Sequence, residues 1–252
     1  MKKTEKPNRT IEQQIRRRTI IAFSIFVLLT ISTYSAWKWL YHQPQESGIQ
    51  KTLRKALNKN EAIFAPTLSD NNLAKTFPKS KAAKEVRVNG DAGMDNNFDP
   101  KNWKMKVIRK PGDTLFITLD DIKKLPKTEL VFDFKCIEGW SQVSHWSGVQ
   151  FSVFAKHYGL KAQTQMEYIG LSTPDKKYYV GIDMASALHP QTLLCYELNN
   201  KPLPMDQGFP LRLIIPVKYG VKSIKRIGTL YFSNERPPDY WAEKGYDYFS
   251  GL

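Results

Sequence analysis

An uncharged apolar run near the N-terminus, from Thr19 to Trp37, constrains this chain more than any other feature. The aromatic residues Trp39 and Tyr41 extend it, and such residues are enriched at membrane interfaces. At about 1.5 Å per residue, a helix of this length crosses a hydrocarbon core of about 30 Å. We therefore expect a transmembrane helix over residues 19–41.

Charge before the apolar run indicates its orientation. Residues 1–18 hold seven Lys or Arg against two Glu, and Arg16, Arg17 and Arg18 lie directly before the run. The positive-inside rule then keeps residues 1–18 cytoplasmic, in a single-pass inner-membrane protein whose main part is periplasmic. A cleavable signal processed near Ser35 is the alternative, although the run is long for one. Arg17-Arg18 also approaches a twin-arginine export signal, which leaves the export route open.

The net charge of +14 does not predict a nucleic-acid partner. Much of it lies in the flanks, because residues 42–88 add nine Lys or Arg against four acidic residues to the basic N-terminus. Basic flanks beside a membrane segment have a simpler explanation in membrane topology. We expect no nucleic-acid binding.

Residues 42–85 are predicted to be a linker. The segment 49–57 has the spacing of a short amphipathic helix, which either rests on the bilayer surface or packs on the domain. The lysine-rich stretch beyond it, from Lys75 to Lys84, is typical of a solvated connection. A globular domain is expected over residues 86–252.

Many short strands and few helices are predicted within that domain. The predicted strands cover residues 103–108, 114–119, 130–134, 168–173, 178–182, 193–198, 211–217 and 224–232. Short helices are expected at 120–125, after a Ser147 capping box, and at 184–188. Because strands and helices do not alternate regularly, the pattern indicates an α+β fold.

Of the two cysteines, Cys136 is the candidate for chemistry. The strand 130–134 delivers it to a polar turn that carries Glu138 and Gly139, where a thiol serves as a soft metal ligand or a nucleophile. Cys195 lies in an apolar strand and is expected to be a small buried hydrophobic residue. The chain has no Cys-x-x-Cys-His motif, so covalently attached haem is not expected.

Four sequence blocks in a fixed order carry a family resemblance. They are CIEGWS at 136–141, WSG at 146–148, GFPLR at 208–212 and PVKYGVKSIK at 216–225. With their surroundings, residues 86–238, they resemble the sulfite-oxidase-fold molybdenum enzymes, in particular the bacterial branch that includes periplasmic methionine-sulfoxide reductase catalytic subunits. The resemblance implies an oxidoreductase with a molybdopterin-binding α+β fold of mixed sheets.

The resemblance also implies a site around a molybdenum-molybdopterin cofactor. Cys136 would be the protein ligand of the metal, and Glu138 would approach the open face of the metal to position substrate or pass a proton. The remaining residues implied to contact the cofactor are Arg87, Asn89, Thr173, Gln207, Arg212, Lys222, Ser223, Ile224 and Lys225. Plain turn roles stay open for Arg87, Asn89 and Thr173.

Substrate and partners follow from the same resemblance. Sulfite oxidases carry an arginine just after the cysteine, whereas Ile137, Glu138 and Gly139 follow Cys136 here. An acidic side chain disfavours an anionic substrate, so a small neutral oxo compound such as a sulfoxide is expected. A membrane cytochrome b-type protein is the implied electron partner. A monomer is expected, because the immunoglobulin-like dimerisation domain of sulfite oxidases has no counterpart.

Two other readings of Cys136 and its surroundings remain. A cofactor-free, membrane-tethered module of the same fold would bind a partner or a small molecule. A cysteine hydrolase would use Cys136 as nucleophile and His145 or His157 as base. The second reading is weaker, because His157 is predicted to pack on the apolar side of its helix.

Overall fold

The computed structural model describes residues 10–46, 48–64, 72–95 and 97–252. Its first element is the helix α1 (Ile11–Tyr41), which begins at a Thr10 capping box and buries none of its residues. In the described part of the chain it is the one helix long and apolar enough to cross a membrane. Residues 1–9 of the predicted cytoplasmic segment lie outside the described residues.

The segment after α1 returns to the globular domain. Two short strands, β1 (Gln45–Glu46) and β2 (Ile49–Gln50), precede the helix α2 (Lys51–Phe64). The Arg54 side chain on α2 donates hydrogen bonds to the backbone of the domain. Of the two placements left open for this helix, packing on the domain is the one observed.

Residues 72–85 lie along the domain although their lysine side chains stay exposed. The Phe77 amide donates to the Val131 carbonyl at 2.9 Å, and the Ala83 amide donates to the Val143 carbonyl at 2.9 Å. The predicted linker is therefore held to the domain over its second part. Residues 65–71 of that linker lie outside the described residues.

The remaining elements form two five-stranded sheets with short helices between them. In chain order they are β3 (Met105–Lys110), β4 (Asp113–Ile117), α3 (Leu119–Lys123), β5 (Thr128–Lys135), β6 (Ser141–Gln150), α4 (Phe151–His157), β7 (Tyr168–Ser172), β8 (Tyr179–Asp183), α5 (Met184–Leu188), β9 (Leu193–Leu198), β10 (Lys201–Pro202), β11 (Arg212–Ile214) and β12 (Thr229–Ser233).

The sheet orders show a mixed α+β architecture. One sheet runs β10-β9-β6-β5, with β11 also paired to β9, and the other runs β4-β3-β12-β7-β8. The β3–β12 pair is parallel and the other strand pairs are antiparallel. The predicted fold class is confirmed.

Strand β6 overturns one local prediction. Ser147 lies inside this strand, opposite Glu129 on one side and Glu197 on the other, and α4 begins only at Phe151. The residue before α4, Gln150, makes no side-chain capping bond. The predicted Ser147 capping box is wrong, because pairing on both sides of a central strand outweighs a local capping pattern.

Two other predicted strands are shorter in the structure. The stretch 211–217 keeps strand pairing only in β11, and 224–232 only in β12. Between these strands the chain makes a turn around Gly220 and returns through Ile224, which is buried in the core. Apolar residues in this stretch reflect burial of a loop rather than a continuous strand.

The buried apolar side chains of the described residues form two clusters. In the smaller one, alternate residues of β5 (Leu130, Phe132 and Phe134) pack against Trp146 and Cys195. This is the period of two that a strand requires. Cys195 is fully buried, as predicted, and burial raises the pKa of its thiol to about 12.

Candidate active site

The β5–β6 hairpin presents Cys136. Strand pairing ends with Lys135 opposite Ser141, and the Cys136 amide donates to the Trp140 carbonyl at 2.9 Å to close the turn. Gly139 has φ +88°, a conformation that favours glycine. The predicted turn at the end of this strand is confirmed.

Cys136 and Glu138 face each other across this turn. The Cys136 Sγ lies 3.8 Å from the Glu138 Oε2, which also accepts a hydrogen bond from the Trp140 Nε1 at 3.1 Å. Cys136 is buried and burial raises the pKa of its thiol, whereas Glu138 is exposed. The thiol thus lies inside and the carboxylate lies at the opening, in contact with solvent.

A cavity of about 240 Å³ opens over this pair. Four loop segments enclose it: residues 89–92, the turn at 136–138, the turn around 220–225 and the C-terminal segment 240–246. We call its aromatic side chains the aromatic wall, which consists of Tyr178, Tyr240, Trp241 and Tyr246. A larger cavity of about 650 Å³ lies beside Asp206 and Gln207, but Cys136 does not line it.

Five of the residues predicted for the site line the smaller cavity together. They are Asn89, Cys136, Glu138, Ser223 and Lys225. Lys225 is tied into the surrounding loops, because its Nζ donates to the carbonyls of Gly90 and Asp206, each at 2.8 Å. Burial, together with the nearby Arg212 charge, lowers the pKa of Lys225 to about 7.

Arg212 and Gln207 form a layer behind the cavity. The Arg212 Nη1 donates to the Gln207 Oε1 at 2.8 Å, and its Nη2 donates to the Ser223 carbonyl at 3.2 Å. The guanidinium carbon lies 4.7 Å from the centre of the Trp146 ring. Arg212 is fully buried, and burial lowers its pKa to about 10. The hydrogen bond from Arg212 to the Ser223 carbonyl fixes the backbone at Ser223.

The structure does not bring Lys222 to the cavity. Its ammonium group pairs with Asp239 at 2.5 Å, donates to the Gly181 carbonyl at 3.0 Å and is buried. Its charge is thus already balanced inside the domain. Ile224 is part of the larger hydrophobic cluster and does not line the cavity either.

Thr173 and Arg87 also lie outside the lining of the cavity. The Thr173 hydroxyl donates to Asp175 at 2.5 Å and accepts from the Tyr178 amide at 3.2 Å, which is a turn role. Arg87 is exposed and lies over the Trp140 ring, 4.6 Å from its centre. It therefore supports the tryptophan that holds Glu138.

Sequence reasoning missed the aromatic wall. Tyr240, Trp241 and Tyr246 come from a C-terminal stretch to which the sequence analysis assigned no role, although its density of aromatic residues was the available signal. Tyr178 was predicted only as a strand residue. In the structure it is buried, its hydroxyl donates to the Val221 carbonyl at 2.6 Å, and burial raises its pKa.

The donors around the cavity fit a cofactor that brings most of its own metal ligands. Among the described residues no group of three or more His, Cys, Asp or Glu could hold a metal ion by itself. The cofactor implied by the resemblance holds its metal through two sulfur atoms of the pterin, and one soft thiol at the cavity would add the protein ligand. The buried Nε of Arg212 also has no hydrogen-bond partner among the described residues.

Neither histidine of the hydrolase reading serves Cys136. His145 is buried in β6, with its Nε2 3.4 Å from the Glu129 Oε2, and it lines the larger cavity. His157 is exposed at the end of α4, so its predicted packing on the apolar side was wrong. The centre of its ring lies 4.8 Å from that of Tyr158, and the two rings are nearly perpendicular. Neither of the two predicted bases therefore lines the cavity at Cys136, the nucleophile of the hydrolase hypothesis.

Comparison with known proteins identifies the class to which this fold and site belong. Residues 92–241 match the family model described as "Oxidoreductase molybdopterin binding domain". The chain belongs to this family, which confirms the predicted sulfite-oxidase-type fold and the oxidoreductase class.

Individual relatives carry names that state an activity, whereas the family model gives only a class of oxidoreductase. The chain is 33% identical, over 82% of its length and 78% of the relative, to a "Putative protein-methionine-sulfoxide reductase subunit YedZ1" of Azospira oryzae. It is 32% identical, over 63% of its length, to the "Protein-methionine-sulfoxide reductase catalytic subunit MsrP" of Campylobacter jejuni, of which it spans 59%. The match to the Xanthomonas campestris protein of the same name is 32% over 71% of this chain and 56% of that protein.

Among solved structures, the sulfane dehydrogenase SoxCD of Paracoccus pantotrophus is similar, with 16% identity and a TM-score of 0.49. The similarity covers 66% of this chain and 46% of that one.

Proposed function

We propose that this chain is a membrane-anchored, extracytoplasmic molybdenum-cofactor oxidoreductase that reduces sulfoxides, with methionine sulfoxide in proteins as the first substrate class to test. The observation that carries the proposal is the pair of Cys136 and Glu138 at one cavity, 3.8 Å apart, opposite an aromatic wall. The printed names of the relatives from Azospira and Campylobacter support the substrate class.

Cys136 would hold the metal of the cofactor. Burial raises the pKa of this thiol, so in the free chain it carries a proton that must leave when the metal binds. Asn89, Ser223 and Lys225 would bind the pterin end, since they line the same cavity with a cation and polar groups. Arg212 would act from behind by fixing the Ser223 backbone. When bound, the cofactor supplies a centre that exchanges two electrons and an oxygen atom.

Glu138 would handle protons at the opening of the cavity. Reduction of a sulfoxide consumes two electrons and two protons and yields a thioether and water. Glu138 is exposed and is held by Trp140, so it can take protons from solvent and deliver them toward the oxygen that leaves. The aromatic wall would pack against the apolar part of the substrate and exclude bulk water.

The helix α1 would anchor the enzyme. It buries no residue on the domain, and its charge pattern favours a cytoplasmic N-terminus with the domain outside. A membrane cytochrome b-type protein would supply the electrons, and the chain would act as a monomer.

Molybdenum content tests the proposal. The full chain is expressed in a host that makes the cofactor, and metal per chain is measured by elemental mass spectrometry. We expect about one molybdenum per wild-type chain and per Cys195→Ala chain. In Cys136→Ser we expect a lost or altered centre, because Cys136, unlike Cys195, lines the cavity. A well-folded wild type without molybdenum or pterin would overturn the proposal and favour the cofactor-free module.

Activity separates the roles of thiol and carboxylate. With a reduced dye as electron donor and a methionine sulfoxide as substrate, we expect Glu138→Gln to keep its molybdenum and to lose about 10²-fold in kcat. The matched control is Glu235→Gln, an exposed glutamate on the loop after β12. A Glu138→Gln enzyme with unchanged kcat would contradict a proton role for Glu138.

A further inference from the structure

The helix α2, which follows α1, is docked on the C-terminal segment that supplies part of the aromatic wall. Arg54 of α2 is buried, and its Nη1 donates to the Tyr246 carbonyl at 2.9 Å. Its Nη2 donates to the Ala242 carbonyl at 2.5 Å. Tyr246 belongs to the aromatic wall, so one side chain of α2 binds the backbone of that wall from outside.

A second pair of contacts fixes the same face of α2. Arg236 donates to the Glu61 carboxylate at 2.6 Å and to the Asn58 side chain at 2.9 Å. Arg54, Asn58 and Glu61 follow one another at spacings of four and three residues, so they share one face of the helix. The docking is therefore a property of a helix face rather than of one side chain.

The turn before α2 touches the same C-terminal segment. A side-chain carbon added at Gly48 would lie 1.9 Å from the Glu243 carbonyl oxygen, so only glycine allows the two backbones to approach this closely. Gly48 and Arg54 thus contact the segment 242–246 at several points, and Asn58 and Glu61 add the contacts to Arg236.

That segment has little internal structure of its own. Its backbone bonds are those of a single turn, with Gly245 donating to Ala242 and Tyr246 donating to Trp241. The ring centres of Trp241 and Tyr246 lie 5.1 Å apart. A single turn is marginal in water, so its position depends on what it packs against.

We propose that α2 is a positioning element of the cavity, with Arg54 as the positioning residue for the aromatic wall. The segment next to the membrane helix then completes the cavity instead of acting only as a tether. Because the aromatic wall would contact substrate, loss of Arg54 would weaken substrate binding more than it slows the chemical step. This consequence for substrate rests on the proposed function, whereas the effect on the wall does not.

Hydrogen exchange on the full chain in detergent micelles tests the proposal without any activity. In Arg54→Ala we expect amide exchange within residues 242–248 to rise about tenfold, because two bonds from a charged donor to that turn are lost. Peptides from β6 and β9 should stay unchanged. The control is Lys55→Ala, the exposed neighbour on the same helix, which should exchange like the wild type.

One further variant and one kinetic measurement complete the test. Arg54→Lys keeps the charge but replaces the planar fork of donors with a single ammonium group, so its exchange should lie between wild type and Arg54→Ala. It also replaces the alanine variant if that variant does not fold. In the loaded enzyme, KM for a sulfoxide should rise several-fold in Arg54→Ala while kcat stays within about twofold. Unchanged exchange at 242–248, or an equal rise in β6 and β9, would overturn the proposal.

Discussion

Environment separates the two cysteines. Both are buried, and β5 and β9 belong to the same sheet. Cys136 directly follows β5 and lines a cavity, whereas Cys195 lies inside β9 among apolar side chains. Their sequence neighbourhoods already differed, because a polar turn follows one and an apolar strand surrounds the other. The candidate ligand could therefore be chosen from the sequence, while the residues opposite it could not.

The position of Lys225 predicts a pH-dependent stability. Burial lowers its pKa to about 7, from 10.5 in an unfolded chain. Between these values the unfolded chain binds more protons, so this contribution to stability is complete above about 10.5, is lost as the pH falls, and is constant below about 7. Relative to Lys225→Met, the free energy of unfolding of the metal-free wild type should rise by about 1 kcal/mol per pH unit from pH 7 to 9.

Urea denaturation at fixed ionic strength measures this difference. The matched control is the exposed Lys201→Met, for which the difference from wild type should not change with pH. A constant difference for Lys225→Met over the same range would contradict a buried, proton-releasing lysine.

Among the elements, β6 shows how tertiary pairing decides local structure. Its C-terminal half carries a serine and a glycine that locally favour the start of a helix, yet this half pairs with β5 as far as Gly148 and with β9 from Trp146 to Gln150. The register shifts between Ser147 and Gly148, and the backbone of β9 at Leu194 and Cys195 leaves no room for a side chain at Gly148. The glycine belongs to a close approach of two strands rather than to a helix start.

A methyl group at Gly148 tests this close approach. In Gly148→Ala the added carbon would lie 2.1 Å from the Leu194 carbonyl oxygen and 2.6 Å from the Cys195 Cα, so β6 and β9 must separate. We expect a loss of about 3 kcal/mol in the free energy of unfolding, measured by chemical denaturation. Gly112→Ala is the control, because it has open space and only the strain of its φ of +78°, about 1 kcal/mol. Equal losses in the two variants would argue against steric exclusion at Gly148.

At the scale of the whole molecule, two segments that are far apart in the sequence meet beside the cavity. The segment 240–246 supplies most of the aromatic wall, and α2 binds it from outside through Arg54. The helix that follows α1 in the chain is thus bound to the segment that supplies the aromatic wall. The distance along the sequence, from Arg54 to Tyr246, hides this contact from sequence reasoning.

The role of α1 can be tested by membrane retention. We expect the full chain to stay with the membrane after an alkaline wash, at the mass of the unprocessed chain. Leu28→Arg at the centre of the apolar run should reduce retention, because arginine at mid-helix costs about 2.5–3.5 kcal/mol on insertion. Phe116→Arg is the control: it also replaces an exposed apolar residue with arginine, but on the domain, and it should leave retention unchanged. A soluble chain shortened near Ser35 would instead identify a cleaved signal.

The sequence by itself determined the α+β class, the membrane-length helix, the Cys136 turn and the family, because each depends on local periodicity, composition or ordered motifs. It also indicated that Asn89, Ser223 and Lys225 belong with Cys136, through the resemblance. Only the tertiary structure decided that Lys222 forms an ion pair with Asp239 and that β6 continues through Ser147. It also decided that the aromatic wall consists of Tyr178, Tyr240, Trp241 and Tyr246. These facts depend on which distant segments pack together, and the periodicity of one segment shows which of its faces is buried but not which segment covers it.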